Sequence, residues 1–543
     1  MWRESGVTTY PREESRRRQR RRGARPQHQG HGRLESCGSG SGGSESATTN
    51  CSKAHAFSVV YAIYNIYFHS LSKYPGPKRW AATRLTYIFS LWSGWLHRDV
   101  RDLHEQYGDI VRIAPDELSF ARPQAWQDIY ANEPGRPAFP KSALWHGAAK
   151  GRPPSVLNAI DIKLHSRFRR AMDPAFTEKA IRMQEPIIQS HVRLLISKLD
   201  QMASSDSQCA IVDILRWISF VVFDEIGDLG FGEPFGCLES SEHHPWCSMI
   251  FSSLRAATYR VTLRYYPAIN WLMGFAIPKS VVKKGMEHWQ MSVDKINRRL
   301  NLEKDRPDII SMIKRDEEGV DGITYPEMLA TSSVLIIAGS DGTISVLNGT
   351  IYHLVRSPDK LAILAAEIRS AFKSEEDISL STLRDFPYLK AVLNEAMRMC
   401  NPTPVGAPRI VPPGGGTVCG ERLSEGVYVN VHSLTVSRSP KLWHDSDAFR
   451  PERWLDNKSP EFAMDQQNAI QPFGVGPRSC AGRLLAWAEM RLILARLIWR
   501  FNLLPTDTEA GRMEWDQQRT FTVLERQPFE VRLKRREGVE AMD

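Results

Sequence analysis

Cysteine is scarce in this 543-residue chain: eight residues, at 37, 51, 209, 237, 247, 400, 419 and 480, with no C-x-x-C pair among them. Such spacing excludes a zinc knuckle and a disulfide framework and fits reduced, cytosol-facing thiols. The N-terminal region has no long apolar run. Ala56 to Phe68 is apolar and aromatic for only 13 residues and is interrupted by Asn65, whereas a bilayer-spanning helix needs about 20. The segment is expected to lie in a membrane interface, or to span one with help from its flanks. No internal repeat is present. Unbalanced charge is also rare beyond the N-terminus. Residues 1–34 hold ten Arg and three Glu, which is seven of the nine net positive charges. The rest is close to neutral, so no nucleic-acid partner is expected, and the run Arg16 to Arg22 reads as a solvated tail. Glu4, Glu13 and Glu14 weaken a mitochondrial address. A content of 42% hydrophobic and 24% charged residues is ordinary for a globular chain with a large core.

Three regions follow in order. Residues 1–55 form a basic, Gly/Ser-rich tail whose stretch 35–52 cannot bury enough apolar surface to fold. Residues 56–73 are the short apolar, membrane-proximal segment. Pro75-Gly76-Pro77 is a stiff elbow into a folded body over residues 74–543. Arg101 to Tyr107 predicts a helix stopped by Gly108, then a strand Ile110 to Ile113, a turn at Pro115-Asp116, and a hairpin partner Leu118 to Phe120. Helical periodicity dominates from Asp161 to about Pro358, so the fold class is mainly α with a small β-sheet region. Thr324-Tyr325-Pro326-Glu327 is a capping box, and nothing breaks the helix it opens until Ser357-Pro358. That is roughly 50 Å of helix at about 1.5 Å per residue. Its centre, Val334 to Ile337, must be buried, and Gly339, Asp341, Gly342 and Thr343 follow at once, marking a cavity or groove.

The stretch Phe473-Gly474-Val475-Gly476-Pro477-Arg478-Ser479-Cys480-Ala481-Gly482 places one cysteine on a glycine-rich loop before a helix read from Ala481 to Phe501. Unpaired amides and the positive helix end favour an anion there, so the thiol pKa is expected to fall. Gly474 and Gly476 let backbone approach a flat cofactor, and Phe473 offers it an aromatic face. Glu489, Arg496 and Arg500 share a polar stripe on the helix.

This loop resembles the haem-binding loop of the cytochrome P450 family, and the resemblance runs from about Tyr74 to the end. It implies a P450-like fold with one long central helix and haem b whose iron is held by Cys480, with Phe473, Gly474, Gly476, Arg478 and Gly482 around the cofactor. It further implies a monooxygenase that inserts one atom of O2 into an apolar small molecule, with electrons from NADPH through a separate reductase, since the chain is too short to carry one as well. Ala338-Gly339-Ser340-Asp341-Gly342-Thr343 resembles the family's oxygen-activating segment, with Gly342 in the usual threonine position. Asp341 is the candidate proton relay, and Thr343 either assists or bonds back to the preceding turn. Arg409, and His165 with Arg169, resemble propionate contacts. Glu395, Arg398 and Arg453 resemble the family's buried Glu-Arg-Arg triad, a structural element. Segments such as Asp228 to Phe235 look like the fungal branch of secondary metabolism, many of whose members hydroxylate polyketide or terpenoid skeletons. Relatives in eukaryotes sit on the cytosolic face of the endoplasmic reticulum through an N-terminal helix, from which the short apolar segment departs. Gly342 keeps a second reading open, an O2-independent haem isomerase or dehydratase of the same fold. A third is a non-catalytic haem-binding protein.

Overall fold

A computed structural model describes residues 42–540 and 542, apart from 134, 137–138, 149–150, 205–208, 245–254, 275–278, 303–305 and 407. The Arg-rich run lies outside the described residues. The chain divides into two units, Met1–Ser58 and Val59–Asp543. A helix Gly42–Tyr67 of 26 residues starts inside the Gly/Ser-rich stretch expected not to fold. Nucleation is the costly step of helix formation, so an apolar helix already formed propagates into neighbouring Ser, Thr and Ala. Val59, Val60, Ile63, Tyr64 and Tyr67 are exposed on it. Asn65, which interrupts the apolar run in sequence, is buried, and its amide donates to the Ala82 carbonyl at 3.1 Å while its own carbonyl accepts from Arg112 at 2.8 Å. The polar interruption therefore anchors the helix end to the body.

The helix Leu96–Tyr107 ends at Gly108, and Ile110–Ala114 pairs antiparallel with Glu117–Phe120, as the sequence predicts. Two distant strands complete this sheet. Tyr428–Asn430 pairs parallel with Glu117–Phe120 and antiparallel with Arg409–Ile410. A three-stranded antiparallel sheet joins Cys209–Asp213, Glu530–Arg535 and Phe501–Pro505. Two hairpins are the only other paired strands among the described residues.

The rest is helical. The long helix spans Tyr325–Arg356 with both hydrogen bonds of the Thr324/Glu327 capping box in place. It packs on the helices Ile214–Phe231, Pro387–Met399 and Arg483–Arg500. At Gly339 the approach is so close that a Cβ would lie 2.6 Å from Ile226 Cδ1. Among the described residues this is the helix long and apolar enough to cross a membrane, yet it is the buried core helix of the fold. Its middle is not wholly sealed: Ala338 is exposed and Val334, Leu335 and Gly342 are half-buried. Residues four apart share a face, so Val334, Ala338 and Gly342 form one open stripe, the groove expected there.

The helix after the cysteine loop runs Arg483–Arg500, and its polar stripe faces inward. Glu489, Arg496 and Arg500 are all buried, with Arg496 on Glu375 at 3.2 Å and Arg500 on Asp200 at 3.0 Å. The two arginines keep their charge inside because each finds an acid on a neighbouring element, whereas Glu489 has only the Thr343 hydroxyl at 3.0 Å.

Candidate active site

The cysteine loop is closed by its own backbone. The Cys480 amide donates to the Phe473 carbonyl at 2.8 Å, and the Ser479 amide to Gly476 at 3.0 Å. Gly476 has φ +75°, and a Cβ there would lie 2.4 Å from the Tyr130 carbonyl oxygen, so the position requires glycine. The helix proper begins at Arg483 rather than Ala481. Cys480 thus precedes it by a short turn, and the expected fall in thiol pKa does not occur. Burial pushes the thiol up, against an opposing hydrogen bond from Gly482 and the charges of Arg169 and Arg483. Desolvation of a thiolate outweighs a helix end that lies too far along the chain. The residue nevertheless remains exposed, so the protein around it does not close it off. Coordination to a metal ion deprotonates such a thiol outright.

Beside the loop lies a group of cations without matching acids. Arg409 is buried with Nη1 unpaired, and buried His165 has Nδ1 unpaired. Lys141 donates to the Leu157 carbonyl at 2.8 Å, and burial, with Arg409 and Arg478 nearby, brings its pKa down to about 7. Burial and neighbouring cations likewise lower His146 to about 3 and His165 to about 4. Arg478, lowered to about 10 by burial and Arg409, has only Asp161 acting in the opposite direction. An orphaned Arg409 donor and basic groups that disfavour one another's charge at one place suit an anion, and the two propionates of haem b would meet that need. Together with an exposed thiol and an open stripe on the long helix, the residues fit the cofactor.

Arg478, expected around the cofactor, and Arg169, expected on a propionate, have protein partners. Arg478 donates to the carbonyls of Ala159 and Ile160, both at 2.6 Å, and Arg169 donates to the Ser479 carbonyl at 2.5 Å and to Asp173 at 3.2 Å. Both therefore tie the cysteine loop to its surroundings. Lys141 and His146 were missed by sequence reading. The sequence signal for Lys141 is absent, because its proximity to Arg409 comes from an isolated antiparallel bridge between the two residues.

The groove segment is also tied down. Asp341 is buried, and Arg526 donates to its carboxylate at 2.7 Å and to its carbonyl at 3.0 Å, and also to Ser345 Oγ at 2.7 Å. Burial raises the Asp341 carboxyl, and Arg526 partly offsets this. Thr343 does not bond back to its own helix, since its hydroxyl donates to Glu489 at 3.0 Å. Gly342 is open, the nearest atom to a hypothetical Cβ being Pro402 Cγ at 4.0 Å. Segments far apart in sequence also meet one another. Trp145 donates to Tyr265 at 2.7 Å, Tyr259 meets Phe521 edge-on, and the Leu524 amide donates to Pro402 at 3.2 Å. A cavity of about 530 Å³ has Phe521, Leu524, Arg526 and Leu215 in its wall.

Glu395, Arg398 and Arg453 meet, all fully buried. Arg398 binds both Glu395 oxygens, at 2.7 and 2.9 Å, and Arg453 reaches Oε1 at 3.2 Å. The Arg450 amide and Trp454 indole add donors at 2.8 and 2.9 Å. Although burial opposes it, the two guanidiniums hold Glu395 below the ordinary carboxylate range. Arg398 also donates to the carbonyls of Ser437 and Ser446, and Arg453 pairs with Asp465.

A mainly helical body with an exposed thiol on a glycine loop, an open stripe on a long buried helix and basic side chains without matching acids fits a haem-thiolate protein. The family model for Cytochrome P450 matches residues 75–532. The chain is similar to Cytochrome P450 monooxygenase efuB of Hormonema carpetanum, 37% identical over 482 residues, which is 88% of this chain and 94% of that protein. It is 38% identical over 480 residues to Cytochrome P450 monooxygenase astJ of Aspergillus oryzae, covering 88% and 95%. Averantin hydroxylase of Dothistroma septosporum is 36% identical over 478 residues, covering 88% and 89%. The chain belongs to the cytochrome P450 family and is a haem monooxygenase, an oxidoreductase of the fungal secondary-metabolism type.

Proposed function

We propose that Cys480 is the thiolate ligand of haem b and that the enzyme hydroxylates an apolar, polyketide-like small molecule, using NADPH electrons from a separate reductase. The observation that carries this is the pairing of an exposed Cys480 thiol with the unpaired Arg409 Nη1 and His165 Nδ1. Bound haem supplies O2 activation, and a thiolate ligand favours O–O cleavage. The chain's own residues do the rest. Arg409, His165 and Lys141 hold the propionates, while Arg478 and Arg169 fasten the loop through backbone carbonyls. Glu395, Arg398 and Arg453 lock the segment that leads to the loop, since buried ion networks of this kind specify geometry more than stability. Apolar side chains from the converging segments around Phe521, Tyr259 and Pro402 receive the substrate and exclude water. Averantin hydroxylase, a relative, supports hydroxylation as the reaction.

Residues 74–543 constitute the catalytic domain. The preceding helix, with its exposed Val59, Val60, Ile63 and Tyr64, rests on the cytosolic face of the endoplasmic reticulum. A carbon monoxide difference spectrum, followed by a screen for ligand-induced spin change and turnover with NADPH and reductase, tests the reading. Product formed anaerobically without electrons would support the isomerase instead.

A further inference from the structure

Arg409 differs from the other arginines near the cysteine loop in what holds it. Arg478 and Arg169 spend donors on the carbonyls of Ala159, Ile160 and Ser479. Arg409 is 6% exposed, and among the described residues its guanidinium makes no hydrogen bond or ion pair, with Nη1 buried and unpaired. Its charge rests instead on the ring of Tyr130, whose centroid lies 5.2 Å from the guanidinium carbon. An aromatic face offsets a cation's charge but takes none of the N–H groups that lie in the guanidinium plane. A cation held in this way keeps its fork of donors for a carboxylate.

Tyr130 is itself fixed from several sides. It ends the helix Gln124–Tyr130, where Trp126, tied to the Ala469 carbonyl at 2.9 Å, packs against its ring at 5.3 Å. The Tyr130 hydroxyl donates to Asn430 Oδ1 at 3.0 Å and accepts from the Val431 amide at 3.3 Å. Asn430 is fully buried and anchored in turn, its amide donating to the Val405 carbonyl at 3.0 Å. It also follows Val429, the residue opposite Arg409 in the sheet. The backbone carbonyl of Tyr130 is the oxygen against which Gly476 of the cysteine loop packs. Tyr130 thus touches the loop with its main chain and the cation with its ring.

We propose that Tyr130 is a positioning residue for the haem: its ring fixes the Arg409 guanidinium with the donors free, and its main chain sets that cation's place relative to the Cys480 loop. The tether to Asn430 makes the ring a fixed shelf. Without the shelf Arg409 has no other recorded side chain to rest on, and the charge of a propionate is less well compensated. Uncompensated negative charge beside haem disfavours the electron added on reduction, so the midpoint potential falls.

The inference rests on haem bound at Cys480 with Arg409 on a propionate, and the test separates these. Haem transfer from the ferric holoenzyme to excess apomyoglobin, and the ferric/ferrous midpoint potential, are measured for Tyr130→Leu, Arg409→Gln and the double variant. Each single change should speed transfer several-fold and lower the midpoint. The double variant should behave as Arg409→Gln alone, because Tyr130 acts through that side chain. Tyr130→Phe keeps the ring and loses the tether, so it should shift both readouts the same way by less. Its effect should likewise vanish in the Arg409→Gln background, which decides the matter if Tyr130→Leu does not fold. Native values in Tyr130→Leu, or losses that add in the double variant, would overturn the proposal. Native behaviour of Arg409→Gln would remove the propionate assignment on which it stands, and an unaltered enzyme without the red-shifted Soret band would sink the ligand assignment.

Discussion

Arg526 binds Asp341 twice, through its carboxylate at 2.7 Å and its backbone carbonyl at 3.0 Å, across 185 residues of sequence. The acid at the centre of the groove segment is therefore held by the C-terminal hairpin region, and Arg526 also forms part of the wall of the neighbouring cavity. Removing one member of a buried pair leaves the other uncompensated, at a cost of about 3–5 kcal/mol. Arg526→Gln should destabilise the fold on that scale in denaturant unfolding, with the double variant Arg526→Gln/Asp341→Asn recovering part of it. Additive losses in this cycle would show the contact to be incidental.

Cys480→Ser should abolish the red-shifted Soret band of the reduced carbonyl complex, because a serine hydroxyl does not supply the electron donation of a thiolate. Retention of that band would refute the ligand assignment.

Gly342→Thr places a hydroxyl where the nearest foreign atom is Pro402 Cγ at 4.0 Å from the new Cβ, so the side chain is accommodated. Product formed per NADPH consumed should rise. Unchanged or lower coupling would point to a different proton path, of which the Thr343 contact with Glu489 is the candidate.

Arg453→Ala leaves the fully buried Glu395 and Asp465 without a shared guanidinium. A loss of about 3–5 kcal/mol is expected, together with lower haem content in purified protein. Normal haem occupancy in the variant would separate the network from the cysteine loop.

Acid should weaken the N-terminal sheet region before the rest. His104 and His432 both contact Ser119 Oγ, at 2.7 and 2.9 Å, with His97 nearby. Burial lowers His97 and His104 to about 4 and His432, where His104 and His97 add to the effect, to about 3. These rings fold neutral, so as pH falls below the ordinary 6.5 the unfolded chain binds protons first. Their stability contribution is intact above that pH and declines towards pH 4, by up to about 1.4 kcal/mol per pH unit for each ring. Unfolding midpoints of His432→Gln should depend less steeply on pH over this window than those of the native chain. An identical pH slope would exclude His432 from the effect.

Much of the molecule was legible in the sequence because its signals are local. The Thr324/Glu327 cap, the 3.6-residue periodicity up to Ser357-Pro358 and the Gly108 stop each act within a turn or two of chain, and the structure shows all three. The cysteine loop is likewise a contiguous pattern, and the Glu395, Arg398 and Arg453 cluster was implied by the family resemblance of two such stretches. Even so, the loop's thiol was misjudged: the amino-acid order suggested a helix end beneath Cys480, whereas burial and a later helix start decide its acidity.

The amino-acid sequence by itself determined the family, the long helix and the cysteine that marks the site, since each is written in consecutive residues. Only the tertiary structure decided which charges meet. Arg526 comes to Asp341, Thr343 to Glu489 across 146 residues, and Lys141 to Arg409, while Glu489 turns from a polar stripe into a buried acid. Desolvation and pairing are properties of a packed interior, and an element's own periodicity does not reveal which neighbour will cover it.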